Sequence, residues 1–528
     1  MEEIYPLSFS FLSSPGRRRL LDKSGRGGGP ERIPCLLEEE AGLPEFLPAL
    51  ARAEWARHRV ASSEAVFPPE ADDFQLNPTL EVVQTSWKLS PILDRRGEEG
   101  ITAPETGEEW LLIRKDPATR ETVATPASLD ELLAVKILAE DISPEAAAAE
   151  AKVAAGKIDR ALWTAAKTGI LIAPRSRVTR SFPPPEAGGK ERFQKVDVFT
   201  IQWHITHACD LHCRHCYDRS KRSPLTLIQG KRLLGELEDF CRERNVRGHV
   251  CFTGGNPFLS PHFFHLYREA ADRGFSTSIL GNPVSRRKLR EIKEIQVPGY
   301  FQVSLEGLAE HNDWMRGFGH FQRILDFLEV LKETGISSAV MLTLTKDNLE
   351  QVLPLARILE GKTDYFTFNR LSPVGEGADL LLPERKEYIE FLKKYVSAFP
   401  EIAPLGYKDN LINIILENRG LKLFAGCTGY GCGAAFNFIT ILPDGEAHAC
   451  RKFPSPIGNV LKSGIAGVYD SGEAERYRRG PEECRRCSLR PVCGGCLAIA
   501  AGLGRDIFRD RDPFCFYRSG AGAAGRSR

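Results

Sequence analysis

Eleven of the fourteen cysteines in this 528-residue chain lie in two stretches, three within Cys209–Cys216 and eight within Cys427–Cys515. Thiols gathered this tightly are not scattered core residues, and over the whole length they are too few for a secreted disulfide scaffold. They point to thiolate-held metal in a reducing compartment, so a cytoplasmic protein is expected. The chain is longer than one hydrophobic core usually serves, which predicts two to four domains. Lys plus Arg against Asp plus Glu gives 71 − 70 = +1, so no overall field draws nucleic acid or an anionic membrane. No apolar run approaches the roughly 20 residues that span a bilayer. The arginines of residues 14–24 precede no apolar segment, which argues against an export signal.

Residues 1–35 are rich in Gly, Arg, Pro and Ser and lack periodicity, which predicts a mobile segment. Leu47, Leu50, Trp55 and Val60 stand at helical spacing within residues 36–66, the pattern of an amphipathic helix packed on a neighbour. Residues 1–82 are therefore read as an N-terminal region, partly disordered with helix. In residues 83–173 a strand, a turn at Asp116-Pro117 and a second strand fill 110–126. Helices follow at 129–139, 144–155 and 158–168, the last stopped by Gly169. Strands beside three short helices suggest a winged-helix-like module. Its recognition helix is Ala-rich and poorly basic, which argues against DNA. Residues 174–196, with the run Pro183–Pro185, read as a linker.

Over residues 197–400 six apolar strands (198–206, 249–252, 276–280, 300–305, 339–345 and 365–371) alternate with amphipathic helices (226–242, 262–273, 285–295, 321–333, 349–360 and 384–399). Six such units imply a parallel α/β fold, a partial (β/α)6 barrel, whose chemistry belongs at the carboxyl ends of its strands. Residues 401–517 form a cysteine-rich extension, and 518–528 read as a disordered tail.

The first strand ends in ITHACDLHCRHCYDRS, with Cys209, Cys213 and Cys216 in a C-x3-C-x2-C loop. Three thiolates on one loop can ligate three corners of a four-iron cluster and leave the fourth iron open to a chelating cosubstrate. Zinc, with a fourth ligand from His204, His207, His212 or His215, is the alternative. Placed at the mouth of an α/β barrel, the loop resembles the signature of the radical S-adenosylmethionine (SAM) enzymes. The resemblance implies a SAM site. Thr253-Gly254-Gly255-Asn256-Pro257 is similar to the family's GGEP loop, in which two glycines let backbone approach the methionyl amine. Asn256 in place of the usual Glu keeps an acceptor and loses a charge. Ser304-Leu305-Glu306-Gly307 resembles S-[LI]-D-G, which places Ser304 near SAM's ribose or carboxylate. Arg316-Gly317 matches a position where arginine pairs with SAM's carboxylate; otherwise Arg316 is a solvated helix-end residue. Asn282, Leu344 and Asn369 follow as adenosine contacts by position.

The later cysteines resemble the SPASM extension of these enzymes, which holds two auxiliary four-iron clusters. The resemblance assigns Cys427, Cys432, Cys450 and Cys496 to the first and Cys484, Cys487, Cys493 and Cys515 to the second. Two residues rather than the commoner three precede Cys496. A pair of zinc ribbons is the alternative. Cys35, Cys241 and Cys251 are left with packing roles.

The implied cofactors are therefore three [4Fe-4S] clusters, one SAM-binding and two auxiliary, and SAM itself. The implied chemistry is reductive cleavage of SAM to a 5′-deoxyadenosyl radical, hydrogen-atom abstraction from an unactivated carbon, and electron uptake by the auxiliary clusters. No catalytic residue beyond the cluster is identified. Arg451 follows Cys450 where the sulfatase-maturing relatives carry an Asp base, which disfavours formylglycine formation. The order of elements in 83–173 resembles domains that capture leader peptides by strand addition. The expected partner is thus a ribosomal precursor peptide, with thio- or selenooxazole-type maturases the most similar group and a flavodoxin or ferredoxin-like protein as electron donor. A SAM enzyme acting on a small molecule and a non-enzymatic metal-binding DNA regulator are the competing readings.

Overall fold

A computed structural model describes residues 1–25, 29–68, 71–95, 101–180 and 191–517. The chain divides into two compact units, Met1–Arg175 and Ser176–Arg528.

The first unit is built on β1 (Gln75–Leu76), β2 (Glu81–Trp87), β3 (Thr106–Lys115), β4 (Thr122–Pro126) and β5 (Leu171–Ile172). β2, β3 and β4 form an antiparallel sheet with β3 central, and β1 pairs with β5. Successive residues of β3 face opposite sides. Leu112 joins Ala134, Ile137, Ile158 and Leu162 from helices Leu129–Ala139 and Ala155–Lys167. Leu111 and Ile113 instead pack with Leu47, Leu50 and Val60 of helix Leu47–Ser62. Ser128 and Glu131 form a capping box that starts the first of the three helices. The expected break at 82/83 falls inside β2.

Residues 1–35 depart from expectation. They contain helices Pro6–Ser10 and Ser14–Gly25 and the start of Ile33–Glu39, and Tyr5, Leu7, Phe9 and Leu20 are buried. The reason is a tertiary one. Glu54, fully buried on helix Leu47–Ser62, accepts bonds from Leu7 N at 2.8 Å, Ser8 N at 2.9 Å and Ser8 Oγ at 2.6 Å. The centre of the expected linker, 181–190, lies outside the described residues. Its flanks are tied, with Thr179 bridged to Lys195 and Val178 and Val196 buried. The expected tail, 518–528, also lies outside the described residues.

The second unit holds β6 (Val198–Thr206), β7 (Arg247–Gly254), β8 (Ser276–Leu280), β9 (Phe301–Ser304), β10 (Ser338–Leu344), β11 (Tyr365–Arg370), β12 (Phe438–Ile441), β13 (Glu446–His448) and β14 (Pro456–Asn459). The sheet order is β11-β10-β9-β8-β7-β6-β12-β13-β14. β6 to β11 are parallel neighbours in chain order, the α/β half-barrel that was expected. Helices between them start on side-chain caps, Thr226 with Gln229 in one case and Ser285 in another. β12 adds parallel to β6, and its hairpin with β13 turns at Gly445, whose φ of 82° suits glycine. The cysteine-rich extension therefore continues the barrel sheet rather than beginning a separate one at 401. Among the described residues no helix is long and apolar enough to cross a membrane.

Replacing Glu54 with Ala strands three donors and should cost about 2–3 kcal/mol locally. Hydrogen exchange of amides 5–12 in the full chain should accelerate by roughly 30- to 150-fold. Unchanged exchange would show that other contacts hold this segment.

Candidate active site

The carboxyl ends of β6 to β11 surround a cavity of about 770 Å³. Cys209, Cys213 and Cys216 line it, as do Gly254, Gly255, Asn282, Ser304, Arg316 and Asn369. Two expected contacts do not. Leu344 is fully buried in the hydrophobic core. Alternation on β10 explains it, because Met341 and Thr343 face the cavity and Leu344 faces the opposite side. Asn256 is also buried behind the wall. Its Oδ1 accepts from Phe258 N at 3.3 Å and its Nδ2 donates to Asp210 Oδ1 at 3.0 Å.

The cysteine loop is braced from several sides. Arg214 N donates to Met315 O at 3.0 Å, Arg214 Nε to Trp314 O at 3.0 Å, and Glu376 N to Cys216 O at 2.9 Å. Gly255 N and Asn256 N donate to Thr206 O and Ala208 O. A Cβ on Gly254 would meet Thr206 O at 2.2 Å, and one on Gly255 would meet Ala208 O at 2.2 Å. The two glycines thus let β7 lie directly against the backbone leading into the cysteine loop, a closer constraint than the expected approach to a ligand.

Arg316 is no solvated helix end. Its Nε and Nη2 bond Glu306 Oε1 at 2.8 and 2.5 Å, and its Nη1 lies 3.6 Å from Cys213 Sγ. Glu306 is wholly buried and also accepts from Thr343 N at 2.6 Å. Burial opposes its charge, but His215, Arg316 and the Thr343 amide outweigh that and keep the carboxyl below its ordinary range. At the opposite side, Asn282 Nδ2 donates to Asp210 Oδ1 at 2.5 Å and approaches Cys209 Sγ at 3.6 Å. Burial likewise opposes ionisation of Asp210, yet bonds from Asn282 and Asn256 hold its carboxyl low. The negative charge missing at position 256 is therefore present nearby, on Asp210. The loop pattern C-D-L-H-C carried that residue in plain view, but only the fold brings it to Asn256.

The thiols fall into three electrostatic neighbourhoods. Burial raises Cys213, with Cys209 and Cys216 among the charges that act on it. Burial raises Cys427 to about 12 and Cys450 to about 11, and Cys432 and Cys496 bear on both. Burial raises Cys484 to about 12, with Cys487 and Cys515 adding to it, and these three add to the buried Cys493. These sets coincide with the three expected ones. Thiolates that repel one another in such surroundings need a cationic centre, so the donor chemistry fits thiolate-bound iron. Among the described residues no group of three His, Cys, Asp or Glu side chains is arranged to hold a single metal ion. Of the remaining cysteines, Cys241 and Cys251 are buried as expected, while Cys35 is exposed.

A charge cluster without sequence signal joins barrel to extension. Arg370, at the end of β11, bonds Asp409 at 2.6 Å and Asp512 at 2.6 and 3.0 Å, all three buried. Asp512 Oδ2 also accepts from Cys496 N at 2.9 Å.

The family model for the radical SAM superfamily matches residues 203–359, and that for the SPASM iron–sulfur cluster-binding domain matches residues 432–496. The mycofactocin maturase MftC of Mycobacterium ulcerans is 30% identical over 360 residues, 62% of this chain and 90% of that protein. An AdoMet-dependent heme synthase of Methanosarcina barkeri is 27% identical over 354 residues, 61% of this chain and 97% of that protein. Streptococcus suis SuiB, crystallised with its precursor peptide SuiA, superposes with a TM-score of 0.51 at 15% identity, over 77% of this chain and 96% of that one, a likeness of fold.

Asp512→Ala leaves Arg370 half paired in the interior, which should cost about 3–5 kcal/mol. Iron per chain should fall from about twelve toward four, with SAM cleavage retained; full iron content would refute the role of this clamp. Gly255→Ala should remove the other four irons by displacing the cysteine loop. Domain matches, motifs and identity to MftC agree: the chain belongs to the radical SAM enzymes with a SPASM domain, and its cofactors are [4Fe-4S] clusters and SAM.

Proposed function

We propose that this enzyme oxidatively modifies a ribosomally synthesised precursor peptide. The observation that carries the reading is a single cavity lined by the three-cysteine loop and also by Arg451 and Lys452, the residues that follow Cys450. A substrate held there is flanked by the SAM-cluster position and the first auxiliary position, an arrangement suited to removing a hydrogen atom and then an electron. When bound, the SAM cluster and SAM supply a 5′-deoxyadenosyl radical.

Each residue has a role in this reading. Cys209, Cys213 and Cys216 hold the SAM cluster. Asp210, fixed by Asn282 and Asn256, meets the ammonium group of SAM. Arg316, oriented by Glu306, meets its carboxylate, and Ser304 and Asn369 border the adenosine. Cys427, Cys432, Cys450 and Cys496 hold one auxiliary cluster, and Cys484, Cys487, Cys493 and Cys515 hold the other. Full thiolate ligation suits electron transfer, with a flavodoxin or ferredoxin-like donor in the cytoplasm.

Two findings favour a peptide. The relatives and neighbours include a named maturase and an enzyme crystallised with its precursor peptide. The first unit carries a three-stranded sheet whose outer strands, β2 and β4, each have one side unpaired with another strand, the feature a leader strand would extend. The heme synthase relative favours a second reading, a small-molecule substrate.

The test uses the full chain, reconstituted anaerobically and reduced with dithionite. It should hold about twelve irons and convert SAM to 5′-deoxyadenosine. A short peptide encoded beside the gene should then lose hydrogen, read by mass spectrometry. Changing Cys209, Cys213 and Cys216 together to Ser should abolish 5′-deoxyadenosine and leave about eight irons. Turnover of SAM without peptide binding or modification would favour the small-molecule reading. Asp210→Asn should weaken SAM binding by about tenfold, the scale of one charge-assisted hydrogen bond.

A further inference from the structure

The cavity wall holds two cations that the scheme above leaves without a task. Arg451 and Lys452 lie between β13 and β14, and both line the cavity. Its other guanidinium groups have carboxylate partners: Arg316 has Glu306 at 2.5 Å, Arg370 has Asp409 and Asp512, and Arg222 has Asp444 at 2.8 Å. Lys452 Nζ donates to a carbonyl, Arg370 O, at 3.0 Å. Among the described residues no hydrogen bond or ion pair engages the Arg451 guanidinium. The one carboxylate side chain in the wall, Asp218, is turned to His207 at 3.6 Å and to Ser220 N at 2.8 Å.

Position adds to this. The Arg451 charge reaches His204 on β6 and Tyr217 beside the cysteine loop, whose side chains bond each other at 3.2 Å. It also reaches Cys251 on β7 and Tyr300 at the entry to β9. The group therefore stands inside the ring of strands, not at its rim. A guanidinium withdrawn from bulk water is costly unless it meets an anion, and its planar fork matches a carboxylate with two parallel bonds.

We propose that Arg451, assisted by Lys452, binds a carboxylate of the substrate peptide, an Asp or Glu side chain or a free C-terminus, and so sets which carbon faces the SAM cluster. This rests on the peptide-maturase reading above. SAM brings a carboxylate of its own into the same cavity, so the experiment separates the two.

Four N-acetylated pentapeptide amides, differing at their central residue as Asp, Asn, Glu or Gln, are titrated into the reconstituted full chain with SAM present. The Asn peptide with a free C-terminus is the fifth probe. At least one acidic probe should bind about tenfold tighter than its neutral counterpart, the scale of a charge-assisted bond in a desolvated site. The preference should vanish in Arg451→Gln, return in part in Arg451→Lys, and shrink in Lys452→Gln. Iron content of about twelve per chain confirms that each variant is folded. Equal binding of acidic and neutral probes to the wild type, or a preference that survives Arg451→Gln, overturns the proposal. So does a tenfold loss of SAM affinity in Arg451→Gln, which would assign the arginine to SAM. A wild type that holds its irons and cleaves SAM but shows no acid preference defeats this proposal alone. A wild type that forms no 5′-deoxyadenosine defeats the reading beneath it.

Discussion

The guanidinium of Arg370, 1% exposed and held between Asp409 and Asp512, is the interaction on which the two halves of the second unit depend. Arg370 closes the last barrel strand. Asp409 opens the stretch that leads to Cys427, and Asp512 lies three residues before Cys515 while also accepting from Cys496 N. One buried cation therefore fixes the extension's two ends against the barrel. The rings of Tyr388 and Phe514 lie 5.2 and 5.4 Å from it and exclude water. In that setting either carboxylate alone would leave uncompensated charge, so the three groups stand or fall together.

The same logic repeats around the cavity. Each cation that must stay in place has a dedicated anion or carbonyl, and each carboxylate that must stay charged has several donors. Glu306 is held by Arg316 and the Thr343 amide, and Asp210 by two asparagine amides. Preorganised groups of this kind need no rearrangement when a charged cosubstrate arrives. Backbone provides the complementary constraint, since glycine at 254 and 255 brings β7 onto the chain entering the cysteine loop. The loop is thus set by the barrel strands and not by its cysteines alone.

Much of this was legible in the residues. Strand and helix periods between 197 and 400 located every barrel strand, because each strand is long, apolar and separated by an amphipathic helix with its own cap. The cysteine spacings sorted the thiols into the same three sets that burial and mutual charge define. Residues 1–35 were misread for the opposite reason. Their order comes from Glu54, more than forty residues away, and no local pattern announces a long-range hydrogen bond. Leu344 was misplaced because a position on a strand end was assigned without its facing, which the two-residue alternation decides.

By itself the sequence determined the α/β barrel, the family and the identity of the thiols, since these follow from periodicity and from close spacing along one chain. The tertiary structure alone decided the charges around them. Asp210 beside Asn256, Glu306 behind Arg316, the Arg370 clamp, and Arg451 inside the ring of strands are pairings between separate elements. A charge takes its role from the groups around it and from how far it is withdrawn from water, and folding sets both.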